Sequence, residues 1–267
     1  MASRAGVFAL VLILLCAPAH AGWSELRGDH FIVYYLSDEP FAKQVAHNAE
    51  IYYNRIADEL GYPRYSNFWQ WDKRAKVYIH DTAANFRKTT GEADWSQGAA
   101  IFSKKEIHSF AGSEGFLDGI LPHEITHLIF RDFVGYKDVE VPIWLDEGIA
   151  QWEEPKKRQM AKQAAKWLIH YDKDLPVQDL TTTNVRVMKD GEKVTFYYMQ
   201  SVSIVDFLMT KFGARSFTDF CRALRDGKSF DQALKSSFGS IENLAELDIA
   251  WRAHVKDDPV PELEYYS

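Results

Sequence analysis

The chain has 267 residues, 46% of them apolar and 14% aromatic, and a formal net charge of −7. That composition argues against disorder except at the ends and supplies enough material for a sizeable core. The acidic balance, with no basic run beyond Lys156-Lys157-Arg158, argues against nucleic acid and anionic membrane surfaces as partners.

Residues 1–21 read as a secretory signal: Arg4 supplies the positive start, Val7 to Leu15 the apolar stretch, and Ala19-His20-Ala21 a small-x-small cleavage site. The apolar run falls short of the roughly 20 residues that span a bilayer, so cleavage is expected rather than anchoring, with the mature chain starting near Gly22 in a secreted or periplasmic location. Losing Arg4 takes the net charge from −7 to −8. Leu15 is too bulky for the residue before a lipidated cysteine, and Cys16 leaves with the signal. Cys221 is then the one remaining thiol, so the exported chain forms no internal disulfide and relies on its core or on a metal. The apolar spacing of Phe217, Phe220, Cys221 and Leu224 marks that thiol as buried and inert.

After Gly22 the expected elements follow in order. His30 to Leu36 is rich in β-branched and aromatic residues and reads as a strand. Ser37, Asp38, Glu39 and Pro40 open a helix that runs to about Leu60, with Gly61 as its stop. Ala75 to His80 reads as a strand, Asp81 to Thr90 as a short helix, and Gly98 to Phe102 with Glu106 to Phe110 as a hairpin. From Phe116 the periodicity becomes helical, with helices predicted near 116–133, 142–170, 194–212, 216–226, 230–237 and 241–255. Gly213 punctuates this region, as does the Ser229/Gln232 capping box. The predicted class is α+β: one domain over 22–267, with a sheet lobe at 22–115 and a helical lobe at 116–267.

Within the first of those helices, His123-Glu124-Ile125-Thr126-His127 has the form HExxH. Residues four apart share one helix face about 6 Å apart along the axis, so both imidazoles reach one tetrahedral ion. Glu124, turned about 100° from His123, reaches a water at that ion without being a ligand. A second helix opening at Pro142 carries Glu147, which a crossing of the two helices would bring within reach as a third ligand. Two histidines, a glutamate and an open fourth position suit a catalytic zinc, one ion per chain; a closed structural site would want cysteine, and none is near.

HEITH followed by Trp144-Leu145-Asp146-Glu147-Gly148-Ile149-Ala150-Gln151-Trp152 resembles the gluzincin metallopeptidases, especially peptidase MA-like proteins. The resemblance extends from about His30 to Val255, since Tyr197-Tyr198-Met199-Gln200-Ser201 with Leu208 and Phe212-Gly213 is similar to that family's C-terminal helix. It implies a zincin-like fold with a cleft between the lobes, Glu147 as third ligand and a peptide or protein substrate. It further implies that Glu124 takes a proton from the attacking water and passes it to the leaving amine, while a tyrosine stabilises the oxyanion. Tyr198 is the first candidate and Tyr197 the second, with core packing as the alternative for both rings.

Where thermolysin-like enzymes carry an aspartate four residues after the glutamate ligand, this chain has Gln151, leaving Asp146 or Glu153 to orient a ligand histidine. The 98–102 strand is the expected edge for an extended peptide, with Gly98, Ala99 and Ala100 leaving room for its backbone. Trp144 and Trp152 read as core rather than pocket lining, and His108 as an ordinary strand histidine rather than an oxyanion partner. His30, His47, His80, His170 and His254 lack ligand spacing. Two rival functions remain: a zinc-binding scaffold without catalysis, and a zinc amidohydrolase acting on a non-peptide envelope substrate.

Overall fold

The computed structural model describes residues 22–61, 69–70, 73–94, 96–135 and 141–256; the signal read at 1–21 lies outside them. A five-stranded sheet comes first, ordered β1-β2-β3-β5-β4. Its strands are β1 (Ser24–Arg27), β2 (Phe31–Tyr35), β3 (Ala75–His80), β4 (Ala99–Ile101) and β5 (Glu106–Phe110). β2, β3 and β5 run parallel, while β1 and β4 lie antiparallel at the two edges. Alternation along β3 explains its two faces: Val77 and Ile79 bury against helices, whereas Tyr78 and His80 point the other way.

The crossover from β2 to β3 contains α1 (Glu39–Glu59), which opens as the sequence suggests, with the Asp38 side chain accepting from the Phe41 N–H at 3.0 Å. α2 (Ala83–Thr90) is capped by Thr82 and closes at Gly91. A π-turn over Phe116–Ile120 leads into α3 (Leu121–Val134), which holds HExxH and ends at Gly135 with φ +71°. Both α1 and α3 pack on the sheet's apolar face, in one continuous core with the helical lobe.

The single helix predicted for 142–170 is in fact two, α4 (Ile143–Trp152) and α5 (Pro155–His170). Pro155 is the cause: it donates no N–H, and it forces the preceding residue out of the helical region, so Glu154 sits at ψ 115°. Two elements went unanticipated, β1 and the short α6 (Val177–Thr182), which starts after Pro176. α7 (Gly191–Arg225) is broken at Gly213, φ +81°, where the sequence places its stop. α8 (Phe230–Phe238) carries the predicted capping box, and α9 (Leu244–Lys256) completes the lobe. The architecture is α+β, sheet first and helices after, as the sequence indicates. Among the described residues no helix is long and apolar enough to cross a membrane.

Candidate metal centre

On α3, His123 and His127 stand one turn apart with their Nε2 atoms 3.1 Å from each other. α4 crosses beside them and brings the Glu147 Oε2 to 3.7 Å from the first Nε2 and 3.6 Å from the second. These three donors form the one His/Cys/Asp/Glu group among the described residues whose ligand atoms converge closely enough to hold a metal.

The other side of each ring explains why it points this way. His127 Nδ1 lies 2.9 Å from Asp146 Oδ1, and that aspartate's second oxygen accepts from Arg131 Nη2 at 2.6 Å. His123 Nδ1 lies 2.9 Å from Glu154 Oε1, which also takes Lys157 Nζ at 2.8 Å. A carboxylate opposite Nδ1 draws a ring proton there, so with a cation between them both Nε2 atoms would present lone pairs to it beside a carboxylate oxygen. Three lone-pair donors repel unless a positive charge lies between them. Bonds of 2.0–2.1 Å to a tetrahedral ion separate its donors by about 3.3 Å, close to the spacing found. The donor set therefore fits a divalent ion of zinc's size.

Electrostatics point the same way. Burial alone would push the His127 imidazolium pKa down, yet Asp146 and Glu147 outweigh it and hold the ring up at about 10. Burial acts against ionised Asp146 and Glu147 too, and both carboxyls still fall below their ordinary values because of their histidine neighbours. Glu124 is the exception: desolvation raises its pKa, partly offset by His123 and His127. One carboxylate kept anionic within the donor group beside one made more basic suits metal-assisted hydrolysis.

The sequence left Asp146 and Glu153 open as the orienting carboxylate. Asp146 takes that role for His127, while Glu153 faces away, bound by Arg55. Gln151 is buried and neither ligand histidine turns to it. Glu154 was missed altogether, and Pro155 was its signal: the helix break it imposes is what swings Glu154 under His123.

Tyr197 and Tyr198 sit near the start of α7, rings 6.0 Å apart. Burial raises both phenol pKa values, and the Glu147 charge raises them further. Tyr197 is 1% exposed, whereas Tyr198 is half-buried against the core. Gly148 makes this approach possible: a Cβ there would meet the Ser201 carbonyl oxygen at 2.6 Å, so α4 and α7 touch backbone to backbone. Tyr197 also walls a cavity of about 440 Å³ with Leu175, Met188 and Phe196.

β4 is an edge strand, and the Phe102 ring just beyond it lies 5.8 Å from that of His127. Gly98 also has a packing reason: a Cβ there would meet Ile120 Cγ2 at 2.6 Å, so the residue admits the π-turn before α3. Trp144 and Trp152 are buried, their indole N–H groups donating to Thr181 and Asp206. His108 stacks on Tyr78 and pairs with His80 on the sheet, apart from the cluster. Cys221 is fully buried, and burial raises its thiol pKa.

No curated protein matches the chain in sequence. The family model of the Peptidase MA superfamily matches residues 69–257, a span that starts later than the resemblance read from the sequence and holds His123, Glu124, His127, Glu147 and both tyrosines. A peptidase-like fold with a donor group able to hold a metal is the signature of that group, and the chain belongs to the Peptidase MA superfamily.

Proposed function

We propose that the protein is a zinc-dependent peptidase in which His123, His127 and Glu147 hold the ion, Glu124 is the general base and Tyr198 donates to the oxygen of the carbonyl under attack. The observation that carries this reading is the meeting of two imidazole Nε2 atoms and the Glu147 carboxylate, with each ring's Nδ1 turned away to another carboxylate. When bound, zinc supplies Lewis acidity that polarises the scissile carbonyl and makes water easier to deprotonate.

The chain's own groups do the rest. Glu124, made more basic by desolvation, accepts the proton of the attacking water and hands it to the nitrogen of the breaking C–N bond. Tyr198 keeps its proton because burial and Glu147 raise its pKa, so the hydroxyl remains a donor to the developing oxyanion. An extended substrate pairs its backbone along Ala99–Ile101 of the edge strand, which leads directly to the cluster. We also place the mature protein outside the cytoplasm, on the strength of Arg4, the apolar run and Ala19-His20-Ala21.

Elemental analysis of the purified mature protein, whose first residue is expected near Gly22, should find about one zinc per chain, lost in Glu147→Ala. On a mixed peptide library, Glu124→Gln should keep the metal and lose activity by a factor on the order of 10³. Cleavage that survives this substitution would sink the assignment, and metal retained with no cleavage in the wild type would favour a scaffold.

A further inference from the structure

The donor geometry depends on Glu154, and Glu154 depends on a junction two residues long. Trp152 ends α4, Pro155 starts α5, and only Glu153 and Glu154 lie between. A carboxylate on such a hinge holds an imidazole in place only if the hinge itself is fixed.

Arg55, on the inward side of α1 and 98 residues away in sequence, fixes it. Its Nη2 donates to the Glu153 backbone carbonyl at 2.7 Å, and its Nε and Nη2 reach Glu153 Oε2 at 3.1 and 2.7 Å. That carbonyl belongs to the peptide unit joining Glu153 to Glu154, so the guanidinium sets the plane from which the Glu154 side chain departs toward His123. The Glu153 carboxyl is fully buried, and Glu59 from the next turn of α1 stands beside it with Arg158. Burial, and then Glu59, raises the Glu153 pKa. A planar fork that binds a carbonyl and a carboxyl oxygen together is something an ammonium group cannot reproduce.

We propose that Arg55 is a positioning residue for the metal site, acting through the Glu153–Glu154 peptide to hold Glu154 against His123 Nδ1. The chain of contacts runs from α1, beneath the sheet, through the α4–α5 junction to His123. The inference rests on the metal reading of His123, His127 and Glu147, and its test separates the two.

Zinc affinity of the full mature chain is measured by competition with a chromophoric chelator, alongside the melting temperature of the metal-free protein. Arg55→Gln should weaken zinc binding about 10–100-fold, the range found when an outer carboxylate partner of a ligand histidine is lost. Arg55→Lys should fall between it and the wild type. Arg252→Gln removes a comparable partly buried arginine, bound to Asp174 and Asp248, and should lower the melting temperature without changing zinc affinity. Because the effect passes through Glu154, Arg55→Gln should cost almost nothing further in a Glu154→Gln background.

Wild-type affinity in Arg55→Gln, an equal loss in Arg252→Gln, or additive losses in the double variant would each overturn the proposal. If Arg55→Gln does not fold, Arg55→Lys in the same cycle decides it. A wild-type chain that takes up no zinc removes the metal reading itself, and the clamp with it.

Discussion

At the scale of single residues, the site is two layers of carboxylate around two imidazoles. The inner layer was legible: the four-residue spacing of His123 and His127, and a glutamate on the next helix, point to the donor group that the structure brings together. The outer layer was legible by half. Asp146 was one of two candidates because it neighbours Glu147, but which face of α4 it occupies depends on how that helix crosses α3, and no local pattern fixes a crossing. Asp146 is also the partner of Arg131, both of them well buried. Asp146→Asn should therefore do two things at once. It weakens zinc binding about 10–100-fold by unfixing the His127 tautomer, and it destabilises the metal-free chain by about 3–5 kcal/mol because a buried guanidinium loses its counter-charge. Chelator competition and urea unfolding of the metal-free protein read these effects separately; a loss of affinity with no loss of stability would show that the Arg131 contact contributes nothing to the fold.

At the scale of elements, most boundaries followed from capping chemistry that any reader of the chain can see: Asp38 before α1, Ser229 with Gln232 at α8, Gly213 within α7. The failure at 142–170 was a failure to weigh one residue. Apolar periodicity continues across the break, so pattern alone joins the two helices, whereas Pro155 removes a donor that the pattern cannot restore. β1 was missed because Ser24–Arg27 is mostly exposed and carries little apolar alternation; it is held by pairing with β2, a long-range cause. The glycine of WLDEG has its reason at this scale too. Gly148 is where α7 meets α4, and the contact at Ser201 lies one turn from Tyr197. Gly148→Ala would gain helix propensity, yet it must push α7 away, at a net cost of about 1–3 kcal/mol. If Tyr198 serves the reaction, the same shift should lower kcat on peptides at least tenfold while leaving zinc content near one per chain. A variant of full activity would show that the tyrosines tolerate displacement and are not part of the chemistry.

At the scale of the whole molecule, the sheet has a second, quieter face. Tyr34, Tyr78 and His108 stack in register across β2, β3 and β5, with ring centroids 4.9 and 4.8 Å apart. His80 closes the row, its Nε2 3.1 Å from His108 Nδ1 and its ring edge-on to Trp23. Burial lowers the His80 pKa to about 4, and the neighbouring His108 pushes in the same direction. The ordinary value of 6.5 holds in the unfolded chain, so between pH 6.5 and about 4 the unfolded state binds a proton that the folded state refuses. Stability from this group is present above pH 6.5 and is lost as the pH falls through that window, by up to about 3 kcal/mol. Urea unfolding of the metal-free protein at pH 7.5 and pH 4.5 should show that loss, and His80→Phe, which keeps an aromatic ring against Trp23 and Phe86 without a titrating nitrogen, should show a smaller one. Metal release contributes nothing to this comparison because a chelator is present throughout. Equal slopes in the two proteins would mean that the acid sensitivity arises elsewhere, and that the histidine pair on the sheet accepts protons without opening the fold.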